Sequence, residues 1–138
     1  MLQLSGFVIW LITLVGISVL AGISKDIALR QAVAACLVAY VLTLILEHHS
    51  LNGSGINIGI FIVDSTLAIV FSYIAILNKT YWSIAAFGFQ LAALALHVAY
   101  FFAPEFSRPG YFVALSATSY LVVGSILAGG IASLRNQQ

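Results

Sequence analysis

INIGIFIVDSTLAIVFSYIAIL, residues 56–77, contains a single formally charged residue, Asp64. Apolar residues fill both odd and even positions, so the run lacks the alternation of a half-buried strand. At about 1.5 Å of rise per residue, a helix of this length spans the hydrocarbon core of a bilayer, about 30 Å thick. The segment reads as a membrane-crossing helix, and its one carboxylate raises the functional question. The chain has only four acidic residues, yet one of them sits in the middle of an oily span.

Comparable runs lie on either side, near residues 2–22, 27–46, 82–102 and 111–134. Short polar breaks separate the five: ISKD, EHHSLNGSG, NKT and APEFSRPG. Backbone groups in lipid are satisfied only by helices or closed barrels, and the runs lack barrel-type alternation. The expectation is therefore an all-α, polytopic integral membrane protein, a bundle of five transmembrane helices forming a single transmembrane domain over residues 1–138. MLQLSGFVIW has no positive n-region, so the first run reads as a retained span rather than a signal peptide.

Composition agrees. Hydrophobic residues make up 62% and charged residues 7% of the chain, with a mean hydropathy of +1.12; soluble proteins average about 45–50% apolar and about 25% charged. A formal net charge of +1 with isolated cations gives no patch for nucleic acid, which is excluded as a partner class. The lone Cys36 reads as a small buried hydrophobe, since no cation stands near it in sequence to activate a thiolate.

Five spans place the N-terminus, the histidine loop and Arg108 on one side, and Lys25, Arg30, Lys79 and Arg135 on the other. The positive-inside rule assigns the second side to the cytoplasm, leaving the N-terminus outside and the C-terminus inside. Tyr81 and Trp82 then fall at one boundary and Tyr100, Phe106 and Tyr111 at the other, as interfacial aromatics do.

Depth follows from helical rise. Asp64 stands roughly 21 Å above Asn78 and His97 roughly 24 Å above Tyr81, so the two are nearly level. Helical phase adds company: Asn57 with Asp64 and Gln90 with His97 are seven apart, Tyr40, Thr43 and Glu47 share a face, and Ser116 with Tyr120 are four apart. The first run has no such stripe and is expected to pack on the outside. An ionisable residue in hydrocarbon costs at least about 2.5–3.5 kcal/mol on insertion scales, so Asp64 is expected to turn inward and pair with His97. Asp64, His97, Glu47, Gln90, Asn57 and Tyr120 together outline a polar interior in the outer half.

That interior has three readings. One is an ion, proton or small-solute pathway; a second is a hydrogen bond that only fixes helix register in a structural scaffold. The third is a metal- or haem-binding redox protein using His48, His49 and His97, whose imidazoles suit haem or a transition metal. Adjacent histidines on a helix point about 100° apart, and no HExxH or CxxC spacing supports the third. No enzyme motif is present: GSG at 53–55 is a turn without a following lysine, and Ser65 beside Asp64 has no nucleophile arrangement.

Small-xxx-small spacings at Ala28 and Ala32, Ala35 and Ala39, Gly88 and Ala92, Ala95 and Ala99, and Gly124 and Ala128 let helices approach closely. With almost no mass outside the bilayer, a homo-oligomer or an accessory role in a larger membrane complex is expected.

From Asp64 to Tyr120 the order of landmarks resembles a group of small uncharacterised five-span bacterial inner-membrane proteins. The shared features are an Asp early in a span, a cation and Trp at the next boundary (Lys79 and Trp82), Gln90 and His97 seven apart, and a Tyr at the start of the last span (Tyr111). That pattern often carries a proline just after the Trp, where this chain has Ser83. The resemblance implies a five-span topology and nothing about function.

Overall fold

Five α-helices make up nearly all of the described chain. The computed structural model describes residues 2–49, 58–103 and 108–136, with the side chains of residues 2–7, 47–49 and 108 outside that description. In chain order the helices are α1 (Leu2–Ile23), α2 (Ile27–His49), α3 (Ile58–Asn78), α4 (Tyr81–Phe102) and α5 (Arg108–Arg135). Four hold stretches long and apolar enough to cross a membrane: Ile27–Leu46, Ile58–Asn78, Tyr81–Phe102 and Pro109–Arg135. In α1 the apolar stretch Val8–Ile23 is shorter. α2 continues through Glu47, His48 and His49, beyond its expected end at 46. α5 starts ahead of 111, because Pro109 is tolerated in a first turn where its missing N–H needs no partner.

The β-branched residues that crowd α3, such as Ile60, Ile62, Val63, Ile69 and Ile74, would favour a strand on a soluble protein. The α-helix wins because it satisfies every interior backbone group within its own segment. Outward-facing side chains are apolar: Ile58, Ile69 and Ile76 on α3 and Phe101 and Phe102 on α4 are all largely exposed. Buried positions include the polar Ser24, Ser83, Gln90 and His97. Soluble proteins arrange the two classes the other way round.

Each helix packs on its neighbours in sequence, and α5 closes back onto α1 and α2. Among the described residues no Cα of α3 lies within 8 Å of one in α5, which leaves an opening inside the ring. α1 packs on α2 and α5 among the described residues. Ser24 Oγ lies 2.9 Å from Ser133 Oγ, and one groove is lined by Asp26, Lys79, Thr80 and Asn136. The α1–α2 turn, the α3–α4 turn and the end of α5 therefore share one end of the bundle.

The turns are built from local chemistry. Asp26 caps α2, its Oδ1 accepting from the N–H groups of Ala28 (2.9 Å) and Leu29 (3.3 Å). Arg30 turns back to the open end of α1, donating to the carbonyls of Ala21 (3.0 Å), Ser24 (3.1 Å) and Gly22 (3.3 Å). At the other turn Lys79 adopts a φ of 51°, and its N–H donates to Ala75 O at 3.0 Å. The apolar core gathers at this same end, around Leu29, Phe71, Ile74, Val123 and Ile126. There the indole of Trp82 lies so close to Gly129 that a Cβ on the glycine would run into the ring.

Candidate functional site

Asp64 lies in the second turn of α3, at the end of the bundle away from the apolar core. Its carboxylate Oδ2 sits 2.7 Å from Nε2 of His97, in the last part of α4. Gln90, two helical turns earlier on the same face of α4, points its Nε2 at Asp64 Oδ1 (3.2 Å) and at the Asp64 carbonyl oxygen (3.2 Å). The pair is well sheltered: the side chains of His97 and Asp64 are 2% and 20% exposed. The other imidazole nitrogen, Nδ1, is 2.6 Å from the hydroxyl of Tyr111 in the first turn of α5. Tyr100 stacks on Tyr111 with ring centroids 4.3 Å apart, and Phe61 meets His97 edge-on at 5.7 Å. Three helices thus surround one imidazole, with both of its nitrogens engaged and Phe61 against its ring.

Donor counting assigns the protons. With Asp64 ionised, it accepts from Nε2–H, and Nδ1 accepts the O–H of Tyr111. A proton added at Nδ1 makes an imidazolium that donates to both partners. Transfer from Nε2 to Oδ2 then leaves a neutral Asp64 and the opposite histidine tautomer, with Nδ1–H donating to the tyrosine oxygen. Tyr111, His97 and Asp64 are linked in a three-member chain with the geometry of a proton relay, and Gln90 bonds the far oxygen of the carboxylate. Among the described side chains the cations Lys25, Lys79 and Arg135 lie at or beyond the helix ends of the opposite half, and Arg30 is engaged with α1 carbonyls there. Among the described side chains no fixed positive charge stands in for the proton.

A cavity of about 320 Å³ opens beside this cluster. Asp64 and Gln90 face it, together with Trp10, Tyr40, Thr43 and Ser116. Trp10 stacks on Tyr40, with centroids 5.7 Å apart and planes 8° from parallel.

Of the residues singled out from sequence, the structure brings Asp64, His97 and Gln90 together. Tyr120 instead packs its ring on Trp10 at 5.6 Å. Asn57 and the side chains of Glu47, His48 and His49 lie outside the described residues. Among the described residues no three His, Cys, Asp or Glu side chains converge on a point. For His97 to ligate a metal or haem iron, it would have to give up Asp64 or Tyr111. Sequence reading assigned Tyr111 and Tyr100 to an interfacial belt and missed their place in the site. The available signal was that Tyr100 follows His97 by three residues, on the same helical face, with Tyr111 just across a short break.

No protein family, characterised relative or solved structure matches this chain.

Proposed function

We infer that this chain is a five-span integral protein of the bacterial inner membrane, N-terminus outside and C-terminus in the cytoplasm. In this reading Asp64, His97 and Tyr111 exchange a proton on behalf of an ion or small-solute pathway. The protein works as a homo-oligomer or as an accessory subunit of a larger membrane complex. The observation that carries the reading is the His97 imidazole, bonded at Nε2 to a carboxylate and at Nδ1 to a phenol within a largely apolar bundle. Intramembrane ionisable residues are costly and are kept mainly where they handle ions or protons. A bond needed only for helix register can be made by neutral side chains.

Orientation rests on Lys25, Arg30, Lys79 and Arg135 standing against Arg108. The fifth crossing rests on the full length of α1, 22 residues, or about 33 Å of helix. Assembly is supported by Gly88, Ala92, Ala95 and Ala99, which line an outward face of α4 with no partner helix from this chain.

The test is proton exchange at the named atoms. The full chain in lipid bilayers is titrated with pH while ¹⁵N resonances of the His97 ring and the infrared carboxyl stretch of Asp64 are followed. The expected result is that both signals move together, as coupled sites do, and that Asp64→Asn changes the His97 titration. If neither group exchanges a proton, or if Asp64→Asn leaves the His97 titration and the pH-dependent behaviour of the protein as in the parent, the cluster is a register-fixing contact and the reading fails.

A further inference from the structure

The cavity beside Asp64 combines features that the relay does not use. Each carboxylate oxygen can accept two hydrogen bonds, and Oδ1 and Oδ2 each receive one from a side chain here. Counting the described side chains, capacity therefore remains on the carboxyl group that faces the open space. Among the described residues the cavity walls carry this one carboxylate and no Lys or Arg, so with Asp64 ionised and His97 neutral the space is one positive charge short of balance. The walls also include the rings of Trp10 and Tyr40 and the hydroxyls of Thr43, Ser116 and Ser119. Aromatic faces attract cations within about 6 Å of a ring centroid, Trp best of all.

Size and ligand type narrow the choice. A volume of about 320 Å³ greatly exceeds a bare metal ion and lies at the lower end of small-molecule pockets, which run from about 300 Å³ upward. Convergent metal-ligating side chains are absent among the described residues. An ammonium bearing short alkyl groups matches what is present: a carboxylate for its charge, aromatic rings in the wall for its alkyl-ammonium surface, and hydroxyls at the margin.

We propose that the cavity between α3 and α5 binds a small organic cation of the alkylammonium class, with Asp64 as counter-ion and Trp10 and Tyr40 as its aromatic wall. The proposal rests on the proton-exchange reading in one respect only. When the relay holds its extra proton the cluster is neutral, and when the cation enters, that proton leaves His97 or Asp64 for water. Cation and proton then occupy the site in exchange for each other.

The full chain in lipid nanodiscs tests this with tetramethylammonium as probe. The protein has two tryptophans, so Trp82→Phe leaves Trp10 as the sole indole reporter. Titration is expected to give a saturable change in Trp10 emission, with protons released into a weakly buffered medium. Asp64→Asn should weaken the response about tenfold or more, as loss of a desolvated counter-ion does. Ser116→Lys, which places an ammonium in the cavity covalently, should abolish it and does not depend on Asp64→Asn folding. An equal response to uncharged tert-butanol, no saturable response, or an unchanged response in both variants would overturn the proposal. Joint titration of His97 and Asp64 without tetramethylammonium binding sinks the cation site and leaves the proton site standing; binding without proton release sinks the exchange.

Discussion

Around the α1–α2 and α3–α4 turns, Leu29, Phe71, Ile74, Val123 and Ile126 are almost fully enclosed by one another. Toward the other end the same five helices part around a cavity and enclose a carboxylate, an imidazole, an amide and a phenol. In water the first region would be the source of stability. In lipid, hydrocarbon chains solvate Leu and Phe about as well as the protein does, so close packing contributes dispersion contacts but little hydrophobic gain. Directional bonds between polar groups that lipid cannot satisfy then carry more of the pairing specificity. The packed half holds the helices together, while the polar half fixes their register and holds a group that can change charge.

The largest expected effect breaks the polar half directly. His97→Ala removes the partner of Asp64 Oδ2 and strands a charge in a low-dielectric setting, which should cost about 3 kcal/mol or more. Adding Asp64→Asn to His97→Ala should recover much of that loss, because the penalty lies in the orphaned charge rather than in the missing bond. Reversible unfolding in mixed detergent–lipid bicelles measures both. A double variant no more stable than His97→Ala would show that the pair acts through packing, as the other half does.

Phe71→Ala probes the packed half and should cost about 2 kcal/mol. In a soluble core the loss would be larger, since burial in water adds transfer free energy that a lipid-exposed reference state largely cancels. The same unfolding assay ranks it against His97→Ala. A cost equal to that of a soluble core would mean that α3 is not surrounded by lipid in the unfolded state.

How far the sequence reached follows the same division. Segment length and hydropathy placed the five helices because both are local properties of the chain. Asp64 and His97 were legible as partners because equal depth on adjacent antiparallel helices is simple arithmetic on helical rise. Tyr111 was not, because its contribution depends on how α5 turns across the end of α4. An aromatic at a span boundary ordinarily reads as an anchor. A polar interior around Asp64 was expected, but its size and walls were not legible: they depend on how far α3 stands from α5, and a sequence records the faces of helices but not their separation. Trp10 likewise looked like part of a lipid-facing helix, since α1 has no polar stripe to set beside it.

Tyr111→Phe separates the two duties of the polar half. It deletes only the O–H that reaches His97 Nδ1, and interhelical hydrogen bonds of this kind average about 0.6 kcal/mol, reaching about 1.7. A loss of about 1 kcal/mol in unfolding free energy is therefore expected, less than for either substitution above. The ¹⁵N resonances of His97 should change much more, because the tautomer loses the partner that fixes it. Unchanged resonances would remove Tyr111 from the relay.

The smallest effect belongs to the turn at the packed end. Lys79 ends α3 at a φ of 51°, a left-handed conformation that costs a residue with a Cβ roughly 1 kcal/mol. Lys79→Gly removes that strain but adds freedom to the unfolded chain, so the two changes nearly offset. A net gain of a few tenths of a kcal/mol is expected, with the N–H to Ala75 O intact. Lys79 is also one of the four cations on its side of the bundle, so the same variant reduces the asymmetry on which the proposed orientation rests. Accessibility of a cysteine tag at Gln138 to a membrane-impermeant reagent on intact cells reads this second effect. If the orientation is held by Lys25, Arg30 and Arg135 as well, the tag stays shielded in Lys79→Gly and becomes labelled only when further cations are removed.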